Sequence, residues 1–580
     1  MADYKTPGVY IREISTLPAS VAPVATAIPA FVGYTRRSIR NGEIIEPLKP
    51  VRVTSMLEFL EIFGEAFSEN YEIVLTGSST DFEDTNIAVN VDSGFSPYLL
   101  NYQLRMFFDN GGGPCYIVSV GNFELEPEPS DIDVDDLLDG IYALEEEDEP
   151  TLLLVPEAVW LGTAGRRSIH DQLLAQCAKL QDRFAIMDVL TDPNRTVMQD
   201  GEAFRNEVGS SDLKYGAAYY PALKTFLSRE FDEEQIFITD NRPLSNSGPF
   251  DGSTLDSLSF GENFAVGKII ITNNANMDGD AFTIGGDTFI EGTHFDRAPG
   301  DGAVAGTAEA LFNAIVEANN TNYSIERDGA VLTIVATAEG EDGEDVIFSY
   351  NPNGSPGARI TGDGFLALTE PDKELYNEII KKLKSNTLNL YPSASVAGIY
   401  ARVDRQRGVW KAPANVDVRG IKQPLKLVSH EEQENLNVDA TSGKSINAIR
   451  AFQGKGNLVW GARTLAGNDN EWRYIPVRRL YIFIEESVKK ATEFVVFEPN
   501  EANTWLRVKT MIENFLAGLW REGALAGAKT EDAFFVKIGL GQTMTALDIL
   551  EGRLNIEIGL AAVRPAEFII LKFSHKLQES

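Results

Sequence analysis

Between Ala30 and Leu223, short continuous apolar runs alternate with amphipathic stretches, and this alternation restricts the fold more than any other feature of the chain. "AFVGYTRR" from Ala30, "CYIVSV" from Cys115, "TLLLVPEA" from Thr151, "FAIMDVL" from Phe184 and "YGAAYYPAL" from Tyr215 read as strands. "SMLEFLEIFG" reads as a short helix closed by Gly64. "SPYLLNYQLRMFFDNGGG" predicts a longer helix, with Ser96 as N-cap, Pro97 at the first position, Leu100, Leu104, Phe107 and Phe108 on one face, and Gly111 beyond its end. "SIHDQLLAQCAKLQ" from Ser168 predicts another. Strands that are apolar on both faces need cover on both, and interleaved helices supply it. The expectation is an α/β fold with a largely parallel sheet.

Composition changes near residue 226. The stretch 226–365 is rich in Gly, Asp, Asn and Thr, with strands expected at "KIIITN", "AFTIGG", "AVLTIVAT" and "DVIFSY" and one helix at "TAEALFNAIVEANN". This pattern suggests an inserted β-rich, α+β domain. The last third is more aromatic. "NTWLRVKTMIENFLAGLWREG" predicts the longest helix, with Trp505, Val508, Ile512, Phe515, Leu516 and Leu519 as core packing and Gly523 past its end. "LNIEIGLAAV" and "AEFIILKFSHKL" read as two closing strands.

The beginning of the chain is different. "PGVYIREI", residues 7–14, alternates like a strand, with Val9 and Ile11 on one face and Tyr10 and Arg12 on the other. No partner strand is near it in sequence, and Pro18, Pro23 and Pro29 break residues 15–29 into an extended tether. The residues alone leave open whether the terminal strands pair within their own chain or with a neighbour.

At 580 residues the chain is long enough for three or four domains. No apolar run approaches the length of a membrane span, and the start lacks the basic and apolar regions of a secretory signal. Only Cys115 and Cys177 are present, too few for a disulfide framework or a zinc site and suited to a reducing cytoplasm. The net charge of −35 is unevenly placed: residues 1–371 hold 22 Lys+Arg against 61 Asp+Glu, and residues 372–580 hold 29 against 25. An acidic front and a near-neutral rear disfavour nucleic acid as a partner and fit an outward-facing surface joined to a packed one.

Catalytic and ligand motifs fail in turn. "SGKS" at 442–445 lacks the earlier glycine of a phosphate loop, which would fall on Val438. "HEEQE" begins like a zinc-protease motif but has Glu434 where the second histidine belongs. "NANMDG" from Asn274 starts like a calcium loop, yet its twelfth position is Gly285. There is no G-x-S-x-G elbow, and His170, His294, His430 and His575 are scattered, so spacing alone neither builds nor excludes a triad. "EGEDGED" (339–345) reads as an exposed acidic loop, with local calcium binding as the sharper alternative. No catalytic, cofactor or metal residue is assigned, and no cofactor is expected.

Five C-terminal stretches carry a resemblance: "VAGIYARVDRQRGVWKAPAN" (396–415), "INAIRAFQGKGNLVWGARTL" (446–465), "EWRYIPVRRLYIFIEESV" (471–488), "FVVFEPNEANTWLRVKTMIENFLAGLW" (494–520) and "RPAEFIILKF" (564–573). With "YKTPGVYIREI" and "AFVGYT" near the start, they resemble the contractile tail sheath proteins of phages and of phage-tail-like injection systems of the antifeeding-prophage type. The family commonly has Gly-Ile-Asn before the "IR", where this chain has Lys444–Ser445–Ile446–Asn447; only a local loop effect is expected.

The resemblance implies a multidomain α/β protein: an N-terminal linking arm (1–24), a subtilisin-like α/β sheet domain (25–225, continuing at 366–430), the inserted β-rich outer domain (226–365), an α+β C-terminal inner assembly domain (431–563) and a C-terminal linking arm (564–580). It implies a structural subunit and not an enzyme, since the likeness to subtilisin is one of fold. The arms are expected to pair with neighbouring subunits through Val9, Tyr10, Ile11, Arg12, Glu13 and Ile14 at one end and Phe568, Ile569, Ile570, Leu571, Lys572 and Phe573 at the other. The implied partners are further copies of the chain in stacked, hexameric rings, an inner tube protein, and baseplate and terminator or cap proteins, with no membrane insertion. Assembly is expected in the bacterial cytoplasm, as part of a phage tail or phage-tail-like particle. The competing classes are a hydrolase and a baseplate or adhesion-type binding module.

Overall fold

The computed structural model describes residues 21–78, 82–91, 94–242, 250–258, 264–299, 303–339, 346–360, 364–365 and 373–570. They form two units, one drawn from the described residues within Met1–Ala66, Pro97–Leu227 and Leu388–Ser580, the other from those within Phe67–Ser96 and Ser228–Thr387.

The first unit is built on a nine-stranded sheet. Its strands are β1 (Pro29–Thr35), β2 (Val51–Val53), β3 (Cys115–Asn122), β4 (Leu152–Leu154), β5 (Phe184–Asp188), β6 (Gly216–Tyr220), β7 (Val416–Asp417), β8 (Ile446–Phe452) and β9 (Gly456–Val459), in the order β7-β9-β8-β6-β5-β4-β1-β3-β2. The six from β8 to β3 run parallel, with Ala30 opposite Tyr116 and Leu153, and Ala218 opposite Met187 and Ile446. Antiparallel strands close both edges. Every residue of β1, β4, β5 and β6 is buried. That is why these strands read as unbroken apolar runs instead of alternating ones.

Helices cover both faces. α1 (Leu100–Asp109) packs on β1 and on α3 (Ser393–Arg407), while the helix Val134–Ala143 packs on β1, β3 and α2 (Thr163–Leu180). The approach of α1 to α3 is close enough that a Cβ on Gly398 would stand 2.3 Å from the Phe107 carbonyl oxygen, so no larger residue fits there. Cys115 and Cys177 lie in this core, fully buried, and burial pushes both thiols well above their ordinary pKa.

Ser96 is not the cap of α1. The helix begins at Leu100, and the amides of Leu99 and Leu100 are taken by Glu157, while the Ser96 hydroxyl donates to Glu69 at 2.8 Å. A carboxyl oxygen brought in by tertiary folding takes these donors in place of the local hydroxyl.

The C-terminal part of the unit packs α4 (Ile475–Thr492) against α5 (Ala502–Arg521) and a small sheet of β10 (Phe534–Lys537) and β11 (Glu557–Leu560). On α5, Val508, Ile512, Leu516 and Leu519 are buried as their spacing requires, together with Met511; Trp505 and Phe515 are half-buried against the same core. Of the two closing strands expected here, β11 forms; of "AEFIILKFSHKL", residues 566–570 join no strand among the described residues, and the rest lies outside them.

The second unit has two cores. One lies between the helix Lys373–Ser385 and a three-stranded sheet in which Tyr71–Thr76 sits between Phe237–Asp240 and Asn86–Val91. The other lies between two four-stranded antiparallel sheets and the helix Val304–Ala318, centred on Ile269, Phe282, Leu311, Leu332 and Phe348. Phe67–Ser96 belongs to this unit because its strand pairs in parallel with Phe237–Asp240, Ile73 standing opposite Ile238.

Candidate assembly surface

In open parallel sheets the default ligand crevice lies at the carboxyl ends of the strands, where the strand order reverses. Here that point is between β1 and β4, beside the N-terminus of α1, the usual seat of a phosphate or carboxylate. The chain fills it with a carboxyl group of its own. Glu157, just after β4, accepts from the amides of Leu99 (2.9 Å), Leu100 (3.1 Å) and Tyr34 (2.9 Å), and it is fully buried. Burial pushes its carboxyl up to about 7 against the pull of these donors.

The remaining chemical candidates are structural. Ser393, at the start of α3, donates both its amide (2.8 Å) and its hydroxyl directly to buried Asp188, so no imidazole stands between them. His170 is buried edge-on to Phe204 with its Nδ1 unpaired, and burial lowers its pKa to about 3. His294 accepts from the Ile290 amide, exposed His430 meets Glu434 within one helix, and His575 lies outside the described residues. Asn274 donates to the Ala298 carbonyl and accepts from Thr307, holding a turn. Of "EGEDGED", all but Glu339 lies outside the described residues. Among the described residues no cluster of His, Cys, Asp and Glu could hold a metal, and no helix is long and apolar enough to cross a membrane.

The segment 444–447 is tied into the fold at each polar residue. Lys444 is buried and donates to the carbonyls of Arg205 (2.7 Å) and Val208 (2.5 Å); Ser445 donates to Asn437. Asn447 donates to Ala218 on β6 and to the Arg463 carbonyl (2.8 Å), and accepts from the Arg463 amide (2.8 Å). The segment thus fixes Arg463 to the central sheet.

Arg463 in turn holds the root of the C-terminal segment. Its guanidinium meets Glu567 at 2.6 and 3.0 Å, and the same carboxylate accepts from Asn437 (2.6 Å) and Tyr474 (3.1 Å). Burial opposes the charge, but the bonds from Arg463 and Asn437 prevail and hold Glu567 below the usual glutamate range. Immediately beyond this clasp Phe568, Ile569 and Ile570 are 70, 80 and 80% exposed. Leu571, Lys572 and Phe573 lie outside the described residues, as do Val9, Tyr10, Ile11, Arg12, Glu13 and Ile14.

The N-terminal segment has a matching root. Val21 is buried in the α4–α5 core, and the Val24 amide donates to Ser487 at 3.2 Å. Thr26 donates to Asp404 (2.6 Å), and Arg479 spans that carboxylate and the Thr26 carbonyl (2.7 Å) while stacking on Tyr400. Sequence reading missed both roots, because each joins residues more than 90 positions apart with no local signal.

The third component is the two-stranded sheet of β10 and β11, a size marginal by itself in water. Phe535 on it is 43% exposed, and nearby loops and helices of this part of the chain present Phe497, Leu506, Leu547 and Leu550 to solvent. Among the described residues, three exposed apolar residues after a clasp thus stand outside any strand, and the short sheet of β10 and β11 has open edges.

The family described as "Phage tail sheath C-terminal domain" matches residues 467–576. The tail sheath protein of Burkholderia phage BcepMu is 29% identical over 151 residues, 25% of this chain and 31% of that one; the tail sheath protein of Enterobacteria phage T4 is 26% identical over 126 residues, 22% of this chain and 19% of that one. The chain therefore spans about a fifth to a third of these relatives' length. Over nearly the whole chain the structure resembles the helical sheath of the anti-feeding prophage in its contracted state (26% identity, TM-score 0.53, 99% of this chain and 100% of that one). It also resembles the PVC sheath complex of an extracellular contractile injection system in its contracted state (25% identity, TM-score 0.52, 100% of this chain and 99% of that one). Residues 467–576 are thus similar to the C-terminal domain of tail sheath proteins, and the mixed α/β multidomain chain as a whole is similar to the contractile sheath structures.

Proposed function

We propose that the chain is the structural subunit of a contractile sheath, polymerising as stacked hexameric rings around an inner tube and contracting to drive that tube through a target envelope. The observation that carries this reading is the run Phe568–Ile570, solvent-exposed and outside every strand among the described residues. Three consecutive exposed apolar residues favour a partner. By the family resemblance that partner is a neighbour's small sheet of the β10–β11 kind, extended by a C-terminal arm from one molecule and an N-terminal arm, Val9–Ile14, from another. Because the contact is head-to-tail, repetition gives an open helical array.

The parallel sheet is then a subtilisin-like scaffold without catalytic duty, and its ligand crevice is closed by Glu157. Contraction needs no nucleotide. A metastable extended lattice, held by a kinetic barrier and by its baseplate, relaxes as subunits move nearly as rigid bodies and gain contacts. The acidic residues 1–371 face outward, and the near-neutral remainder forms the layer beside the tube.

Negative-stain microscopy of the chain, alone and co-expressed with its genomic neighbours, tests this. Hollow ridged tubes are expected, and deletion of residues 1–14 is expected to leave a folded monomer that forms none. Monodisperse monomers or closed rings under every condition would favour a binding module; normal tubes from the truncated chain would refute the role of the N-terminal arm.

A further inference from the structure

Both arm roots converge on one helix. At the start of α4, Tyr474 donates to Glu567, and one turn on, Arg479 holds Thr26. Further along, Tyr481 donates to the Leu560 carbonyl (3.0 Å), which leads into the C-terminal segment, and Ser487 accepts from Val24 (3.2 Å). The helix spans 18 residues, about 27 Å of continuous hydrogen-bonded backbone, and twelve of them are buried.

We propose that α4 is the strut through which the two arms of one subunit are tied to each other, with Arg479 and Glu567 as the positioning residues at its two attachments. The inference rests on the sheath reading and deepens it: pull arriving on one arm reaches the other along α4, through Tyr474 at its start and Arg479 and Ser487 on it. Two features single out these attachments from ordinary packing. Each includes a nearly buried arginine–carboxylate pair, Arg463–Glu567 ahead of α4 and Arg479–Asp404 on it, and the chain segment itself supplies a bonding group, Glu567 in one case and the Thr26 carbonyl and hydroxyl in the other. And the chain beyond the C-terminal clasp turns exposed at once.

A double-mutant cycle on the full chain tests the coupling. Glu567→Gln loosens the C-terminal clasp, and Ser487→Ala removes the acceptor of Val24. Each isolated monomer should melt within about 5 °C of the unsubstituted chain. Hydrogen exchange at residues 564–570 should rise at least tenfold in E567Q, while the yield of tubes falls at least tenfold in E567Q and severalfold in S487A. If α4 carries the load, cutting either end breaks the same path, so E567Q/S487A should lose no more than the worse single variant. Losses that multiply, or normal tubes from E567Q, would overturn the proposal. Where E567Q lowers the melting point further or abolishes tubes, Tyr474→Phe replaces it in the cycle under the same criteria. An unsubstituted chain that never forms tubes refutes the sheath reading and this inference together; tubes with multiplying losses refute the inference alone.

Discussion

A Cβ added to Gly33 would stand 2.6 Å from Glu157 Oε2, so the end of β1 and the carboxylate after β4 are fitted to each other by the absence of a single methyl group. Gly33→Ala must displace either the strand or the carboxylate from the three amides it serves. The expected cost is about 1–3 kcal/mol. A lowered melting temperature together with faster amide exchange at Leu99 and Leu100 checks it; a neutral substitution would mean that Glu157 can move freely.

His170 makes the protein acid-sensitive in a defined window. Its folded-state pKa is lowered to about 3, whereas an unfolded histidine takes up a proton near 6.5. The unfolded chain therefore binds the extra proton as pH falls from about 6.5 to about 3, and stability drops across that range. Glu157 and Asp188, both raised to about 7, act in the opposite sense, the folded state taking up their protons first. His170→Leu removes only the histidine contribution. Relative to the unsubstituted chain it should gain about 2 kcal/mol between pH 7 and pH 5, measured as paired denaturation curves at each pH.

The outline of the sheet was legible because strands buried on both faces, such as Leu152–Leu154 and Phe184–Asp188, show their environment in every residue. The cap of α1 was not, since Glu157 reaches it across 57 positions and the local Ser96 is a plausible substitute. Nor did sequence separate Phe67–Ser96 from its surroundings: Tyr71–Thr76 alternates like any half-buried strand, and its parallel partner begins only at Phe237. The arm segments were visible as alternation and as a family likeness, but Arg463, Arg479 and Tyr474 look like ordinary charged and aromatic residues until the fold brings them to Glu567 and Thr26.

Lys444 offers a direct contrast between a phosphate lysine and a structural one. Lys444→Met leaves the Arg205 and Val208 carbonyls without their donor and should cost about 2–4 kcal/mol. Millimolar ATP or ADP should leave the melting temperature of the unsubstituted chain unchanged. A nucleotide-dependent rise that K444M abolishes would reverse the assignment.

The hydroxyls of Tyr219 on β6 and Tyr400 on α3 lie 2.7 Å apart in the core. Tyr400→Phe strands its partner's buried hydroxyl and should destabilise by about 1–3 kcal/mol, whereas the double variant Y219F/Y400F should return close to the original stability. Equal losses in the single and double variants would contradict this pairing.

The burial of Cys115 and Cys177 has a practical side. With both native thiols sealed in the core, the folded surface is silent toward maleimides and spin labels. One cysteine introduced at an exposed position would therefore carry a probe with no background. Passage from a reducing to an oxidising medium would leave these two sulfurs as thiols.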